Sequence, residues 1–236
     1  MTGTTLGPMT TYVLVHGAFV GGWYWDEVRP RLEKAGHTVD VVPQLPSCGA
    51  DPAPLGDLAG DVETVRQHVE SAEEPVVLVG HSYSGMVVTE LADHPDVAHG
   101  VYVSAAWPAR GASLLDLLGT LPPLPWVEPG EDGTLRPVDD VGLLHEWLCA
   151  DVERERAESL LRRARPQSIA SFATPSSAPE RMHPVTYVIC EDDATIPIGA
   201  QEAMAAAADH VERLPSSHAP MFSMPDRLAE VLGRIR

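Results

Sequence analysis

"VVLVGHSYSG", residues 76–85, is the stretch whose reading decides the fold. Residues 76–79 form an unbroken apolar run closed by Gly80, as in a strand covered on both faces. "SGMVVTELADH" (84–94) follows at once with helical spacing. A sharp turn between them holds His81, Ser82, Tyr83 and Ser84. At the tip of a strained strand–turn–helix, a side chain projects above the carboxyl edge of the sheet. The residues two before and two after the tip must be small, or the two arms collide. Centred on Ser82 those positions are Gly80 and Ser84; centred on Ser84 they are Ser82 and the bulky Met86. Ser82 is the candidate nucleophile.

The same alternation extends outward. Strands are predicted at 11–15, 37–43, 75–80, 100–106, 185–190 and about 210–215. Helices are predicted at 23–36, 55–72, 84–94 and 199–209, with a last one from Pro225. Trp25, Val28 and Leu32 share one face of the first helix, and Gly36 is its expected C-terminal stop. Leu58, Val62, Val65 and Val69 share a face of the second. Six strands joined by helices imply a doubly wound, mainly parallel α/β sheet, because parallel neighbours need right-handed crossovers. The core is expected at 10–106 and 185–236, after an N-terminal tail at 1–9.

The alternation breaks between Trp107 and Pro184. "LGTLPPLPWVEPGEDGTLRP" is rich in proline and glycine, and "GLLHEWLCADVERERAESLLRRA" is helical in period. With Trp126, Leu144, Trp147 and Leu148 to bury, 107–184 reads as a small helical lid inserted in the core. Phe19, Trp126 and Trp147 are candidates to line a substrate pocket; for the two lid tryptophans, packing against the core is an equal alternative.

A serine hydroxyl is a poor nucleophile until a base takes its proton and an acid orients that base. The later strand "VTYVIC" runs into "EDDATIP", which offers Glu191, Asp192 and Asp193. The next runs into "SSHAPMF", which offers His218. Both groups fall just past strand ends, on the edge that carries Ser82 and in the order Ser, acid, His. An oxyanion hole needs two converging N–H groups. Tyr83 offers one at a helix start, and Ala18, in the glycine-rich loop "HGAFVGG" (16–22), offers the other. His81 is read as packing and His16 as a brace for that loop.

"VLVHGAFVGGWYW", "GHSYSG", "DATIP" followed by "QEAM", and "SSHAPMFSMP" together resemble the α/β-hydrolase superfamily. The resemblance is to the branch of plant methylesterases, hydroxynitrile lyases and their bacterial esterase relatives, and it covers both core segments but not the lid. It selects Asp193, three residues before the Ile-Pro pair, as the acid beside Ser82 and His218. It implies a cofactor-independent esterase of small, largely apolar carboxylic esters, with a homodimer common in the branch. Lyases of this type carry threonine and lysine where Gly17 and Ala219 stand, which argues against cyanide chemistry. Other acyl-type chemistry on the same triad stays open, as does a receptor-like binder with little turnover.

Composition narrows the rest. Thirty-four acidic against 16 basic residues give a formal charge of −18, which excludes a phosphate-backbone partner. Arg162, Arg163 and Arg165 read as a solvated helix face. Cys48, Cys149 and Cys190 fit neither a disulfide framework nor a metal site, and the histidines lack metal-ligand spacing. With no apolar run of membrane-spanning length and no leader pattern, a cytoplasmic protein is expected.

Overall fold

A computed structural model of the chain describes residues 9–50, 55–130 and 133–235, so all but the last residue of the expected tail lies outside the described residues. The chain opens with β1 (Thr11–Val15), α1 (Arg29–Lys34), β2 (Thr38–Val41), α2 (Leu58–Glu70), β3 (Val76–His81), α3 (Gly85–Glu90) and β4 (Val97–Val103). Then come α4 (Leu114–Leu118), β5 (Val127–Pro129), β6 (Thr134–Pro137), α5 (Val141–Leu148), α6 (Arg154–Leu161), β7 (Gln167–Ser168) and α7 (Ile169–Ala173). It closes with β8 (Val185–Cys190), α8 (Ile198–Ala205), β9 (His210–Leu214), α9 (Pro220–Ser223) and α10 (Pro225–Leu232).

Six strands form one parallel sheet in the order β2-β1-β3-β4-β8-β9. The chain leaves β1 for β2 on one side and returns for β3 on the other. The strand order therefore reverses at β1 and β3, the point where open α/β sheets bind ligands beyond their carboxyl ends. β3 and β8 are buried along their whole length, which is why both read as continuous apolar runs. α2 starts at Asp57, whose carboxylate accepts from Gly60 N–H at 3.1 Å, and buries Leu58, Val62, Val65 and Val69. Each such side chain contributes about 1.5–3 kcal/mol of transfer free energy.

Two elements differ from expectation for local reasons. The first helix is split: a 3₁₀ turn at Gly22–Trp25 precedes α1, which restarts with Pro30 in its first turn. Trp25, Val28 and Leu32 are nonetheless fully buried. β4 begins three residues early, where Val97 pairs with Val76, and ends three residues early, where Ser104 takes a positive φ of 39°.

The insertion between β4 and β8 is not simply helical. Its described residues hold four helices, α4 to α7, and a three-stranded antiparallel sheet in the order β5-β6-β7. Those strands have three, four and two residues and include Pro129 and Pro137, too short for a period of two to show. The insertion is also tied to the core at residues 165–168. Ser168 N–H donates to Ser47 O at 2.7 Å, Gly49 N–H to Pro166 O at 3.1 Å and Arg165 N–H to Phe19 O at 2.7 Å.

Candidate active site

Ser82 sits where β3 turns into α3, with a φ of 54°. A non-glycine residue in this region costs about 1–3 kcal/mol and persists only where its surroundings enforce it. Here they do. A Cβ on Gly80 would lie 2.7 Å from Val88 Cγ2 and 2.8 Å from Ser84 O, so the arms close over glycine alone. Ala106 N–H donates to Ser82 O at 3.0 Å. Ser84 does more than stay small: its hydroxyl accepts from His81 N–H at 2.9 Å and faces the carbonyls of Val15 and His81 at 3.0 and 2.9 Å. A glycine at that position would leave the elbow unpinned to β1.

The loop after β9 brings His218 to the elbow. Its Nε2 is 3.0 Å from Ser82 Oγ, and its Nδ1 is 2.6 Å from Asp193 Oδ2. With Nδ1–H donating to the carboxylate, Nε2 is left as acceptor for the serine proton. Asp193 Oδ1 accepts from Thr195 N–H at 2.7 Å and Ile196 N–H at 2.9 Å, and Ser104 Oγ donates to Oδ2. With His218 Nδ1, four donors converge on this one buried carboxylate and hold its orientation. Asp192 and Glu191 point to solvent instead.

The loop after β1 lies directly against the elbow. A Cβ on Gly17 would sit 3.0 Å from His81 Nδ1 and 3.1 Å from Ser82 Cβ, so the close approach needs glycine. Phe19 takes a φ of 66°, and its N–H donates to Gln167 Oε1 at 3.3 Å. Ala18 and Tyr83 both face the cavity beside Ser82. His16 is a brace: Nδ1–H donates to Gly17 O at 2.8 Å, and Nε2 accepts from Leu45 N–H at 3.1 Å. Burial pushes its pKa down to about 4, so it stays neutral. His81 is likewise held well below the usual histidine range, first by burial and then by His218. Its Nε2–H donates to His218 O at 2.8 Å and its ring stacks on Tyr24. Packing and backbone support are its part.

These groups open into a cavity of about 380 Å³. Its walls carry Phe19, Trp126 and Phe172 together with leucines of α4, α5 and α6. Among the described residues, no Asp, Glu, Lys or Arg lines it. Trp147 corrects the sequence expectation, for it is not on the wall. Leu144 and Leu148, one turn apart on α5, occupy that face, while the Trp147 carbonyl accepts from Thr195 Oγ1 at 3.0 Å. Sequence reading also missed Ser104, whose signal is the "SAA" following a strand, and Asp151, whose carboxylate accepts from Ser217 N–H at 3.0 Å beside His218. It missed a buried set at Ser47, Asp61, Tyr83 and Gln167 as well, scattered over 120 residues of chain.

Among the described residues, no group of three or more His, Cys, Asp or Glu is placed to hold a metal ion. All three cysteines are free and buried. No helix among them is long and apolar enough to cross a membrane.

Known proteins with this architecture have similar sequences. A pyrethroid hydrolase of Sphingobium wenxiniae is 31% identical, over 95% of this chain and 87% of its own. A carbendazim-hydrolysing esterase of a Nocardioides species is 30% identical, over 96% of this chain and 100% of its own. Methylesterase 8 of Arabidopsis thaliana is 26% identical, over 94% and 87%. The crystal structure of a pyrethroid hydrolase superposes with a TM-score of 0.82 at 29% identity, covering 96% of this chain and 97% of that one. The profile of the alpha/beta hydrolase family matches residues 12–231, nearly everything described above, and this chain belongs to that family.

Proposed function

We propose that the protein is a serine esterase that cleaves small, largely apolar carboxylic esters through Ser82, His218 and Asp193. The observation that carries this reading is the unbroken spacing from nucleophile to base to acid, 3.0 Å then 2.6 Å, at the floor of an apolar cavity. Ser82 Oγ attacks the ester carbonyl while His218 Nε2 takes its proton. Tyr83 and Ala18 N–H groups receive the oxyanion; Phe19 N–H is engaged by Gln167, which leaves Ala18 as the loop's donor. His218 then returns the proton to the leaving alkoxide, and water releases the acid by the same steps reversed. Asp193 holds the tautomer and stabilises the imidazolium.

The substrate class follows from the walls. An apolar cavity without a cation favours a neutral ester over one bearing a free carboxylate or phosphate, because a buried charge without a partner is costly. The names of the relatives support ester hydrolysis. Residues 107–184 act in this reading as the lid that shapes access. Assays with neutral and anionic p-nitrophenyl esters test it. The neutral series should be hydrolysed, and Ser82→Ala should lose about 10⁴-fold or more in kcat/KM while keeping its melting temperature. A folded Ser82→Ala protein with near-parent activity would overturn it.

A further inference from the structure

Asp61 is fully buried in the first turn of α2, and the reaction above makes no use of it. Among the described residues, no cation stands against it. Its Oδ1 accepts from Ser47 N–H at 2.9 Å, and its Oδ2 accepts from Ser47 Oγ at 2.5 Å and from Tyr83 Oη at 2.6 Å. Burial raises its pKa despite these three donors. A carboxyl raised this way opposes folding at neutral pH, so hydrogen bonding there is kept at a cost to stability.

The donors lead somewhere specific. Ser47 gives its only hydroxyl proton to Asp61 and accepts from Gln167 Nε2 at 2.6 Å. Gln167 Nε2 also donates to Ser171 Oγ at 2.8 Å, and Gln167 Oε1 accepts from Phe19 N–H at 3.3 Å. Every proton in this chain has one direction, set by an acceptor-only carboxylate at its centre. One end is Tyr83, which follows the nucleophile. The other is Phe19, which follows Ala18. The chain thus joins the two segments that carry the oxyanion donors, and the link bonded to Phe19, Gln167, comes from the insertion.

We propose that Asp61, Ser47 and Gln167 are positioning residues that fix the separation of the Ala18 and Tyr83 N–H groups. The proposal rests on the reading of Ser82 as nucleophile. It also gives the insertion a part in turnover beyond lining the cavity, since β7 supplies Gln167. Oxyanion donors work only when aimed in advance at the tetrahedral oxygen. Phe19, at its φ of 66°, needs such an external tether to hold the loop there.

The test uses Gln167→Met, which keeps the volume and removes both ends of the amide, and Tyr83→Phe, which keeps the ring stacked on Phe172. Three quantities are measured: kcat, KM for a neutral p-nitrophenyl ester, and inhibition by an aryl trifluoromethyl ketone, which Ser82 attacks to give a stable alkoxide. Each variant should lose about 10- to 100-fold in kcat, less than the 10²–10³ of deleting a donor outright, with KM within about twofold. Affinity for the ketone should fall by the same factor as kcat/KM, since only the tetrahedral state uses these donors. The double variant should cost about as much as the worse single one, because both cut the same chain. A raised KM with kcat unchanged, or a lowered melting temperature with kcat unchanged, overturns the proposal. Should Gln167→Met fail to fold, Tyr83→Phe decides alone. An active Ser82→Ala protein would remove the underlying reading and this one together. An inactive Ser82→Ala beside unimpaired Gln167→Met and Tyr83→Phe would remove this one only.

Discussion

The core and the insertion contribute to one cavity in different ways. From the core come the groups proposed to react: Ser82, Asp193 and His218 stand at the carboxyl ends of β3, β8 and β9. Each position follows from strand register, because a parallel sheet delivers its strand ends to one edge. From the insertion come most of the walls, with leucines of α4, α5 and α6 and Trp126. Such contacts need only size and apolarity, and many sequences meet that. The groups proposed to react are therefore bound to short, position-specific patterns, whereas the cavity shape is left to a segment free to vary. Gln167 and Asp151 depart from that pattern, as polar groups of the insertion bonded into the core.

The sharpest break of that contrast is at the acid. Asp193→Asn keeps an oxygen for the Thr195 and Ile196 N–H groups but presents an amide to His218 Nδ1, forcing the wrong tautomer. We expect a loss of about 10³–10⁴-fold in kcat/KM, while Asp192→Asn, one residue away and exposed, leaves steady-state kinetics unchanged. Equal losses in the two would break the assignment.

Acid should act on the core. Neutral His16 is held to a pKa of about 4 by burial, against about 6.5 when unfolded. Between those values the unfolded chain takes up a proton that the folded chain refuses. Stability is then lost as pH falls from about 6.5 to 4, by about 3 kcal/mol from this group. Asp61, raised by burial, works in the opposite sense and offsets part of it. Urea titrations at pH 7, 5.5 and 4.5 should show the midpoint falling, and His16→Gln should flatten the dependence. A flat profile in the parent protein would contradict the buried neutral state.

Much of this was legible beforehand, and the reasons are physical. Gly80, Ser82 and the three carboxylates after β8 lie next to fully buried strands, so a continuous apolar run marks them; His218 follows the largely exposed β9 and is marked by the order Ser, acid, His. β5, β6 and β7 escaped because two to four residues cannot show a period, and proline obscured two of them. For Trp147 an apolar aromatic residue fits wall and packing equally in sequence, and helix geometry gives the wall to Leu144 and Leu148. Asp61 carried no signal at all. An acidic residue in a helix first turn reads as a dipole partner, and only the tertiary fold brings Ser47, Tyr83 and Gln167 to it.

Within the insertion the smallest effect is expected, and it sharpens the division of labour. Trp126 packs edge-on against Phe19 at 5.6 Å between ring centres. Trp126→Ala should raise KM for a bulky neutral ester about tenfold through lost apolar contact, with kcat for a small acetyl ester within about twofold. A collapse of kcat for both substrates would mean that the wall also positions the reacting groups.

The most direct test of the central claim is intact-protein mass spectrometry after brief exposure to a fluorophosphonate, followed by peptide mapping. An activated serine predicts one equivalent of adduct on Ser82, which disappears in His218→Ala. A folded protein that stays unlabelled, or that labels equally well without His218, would contradict the account.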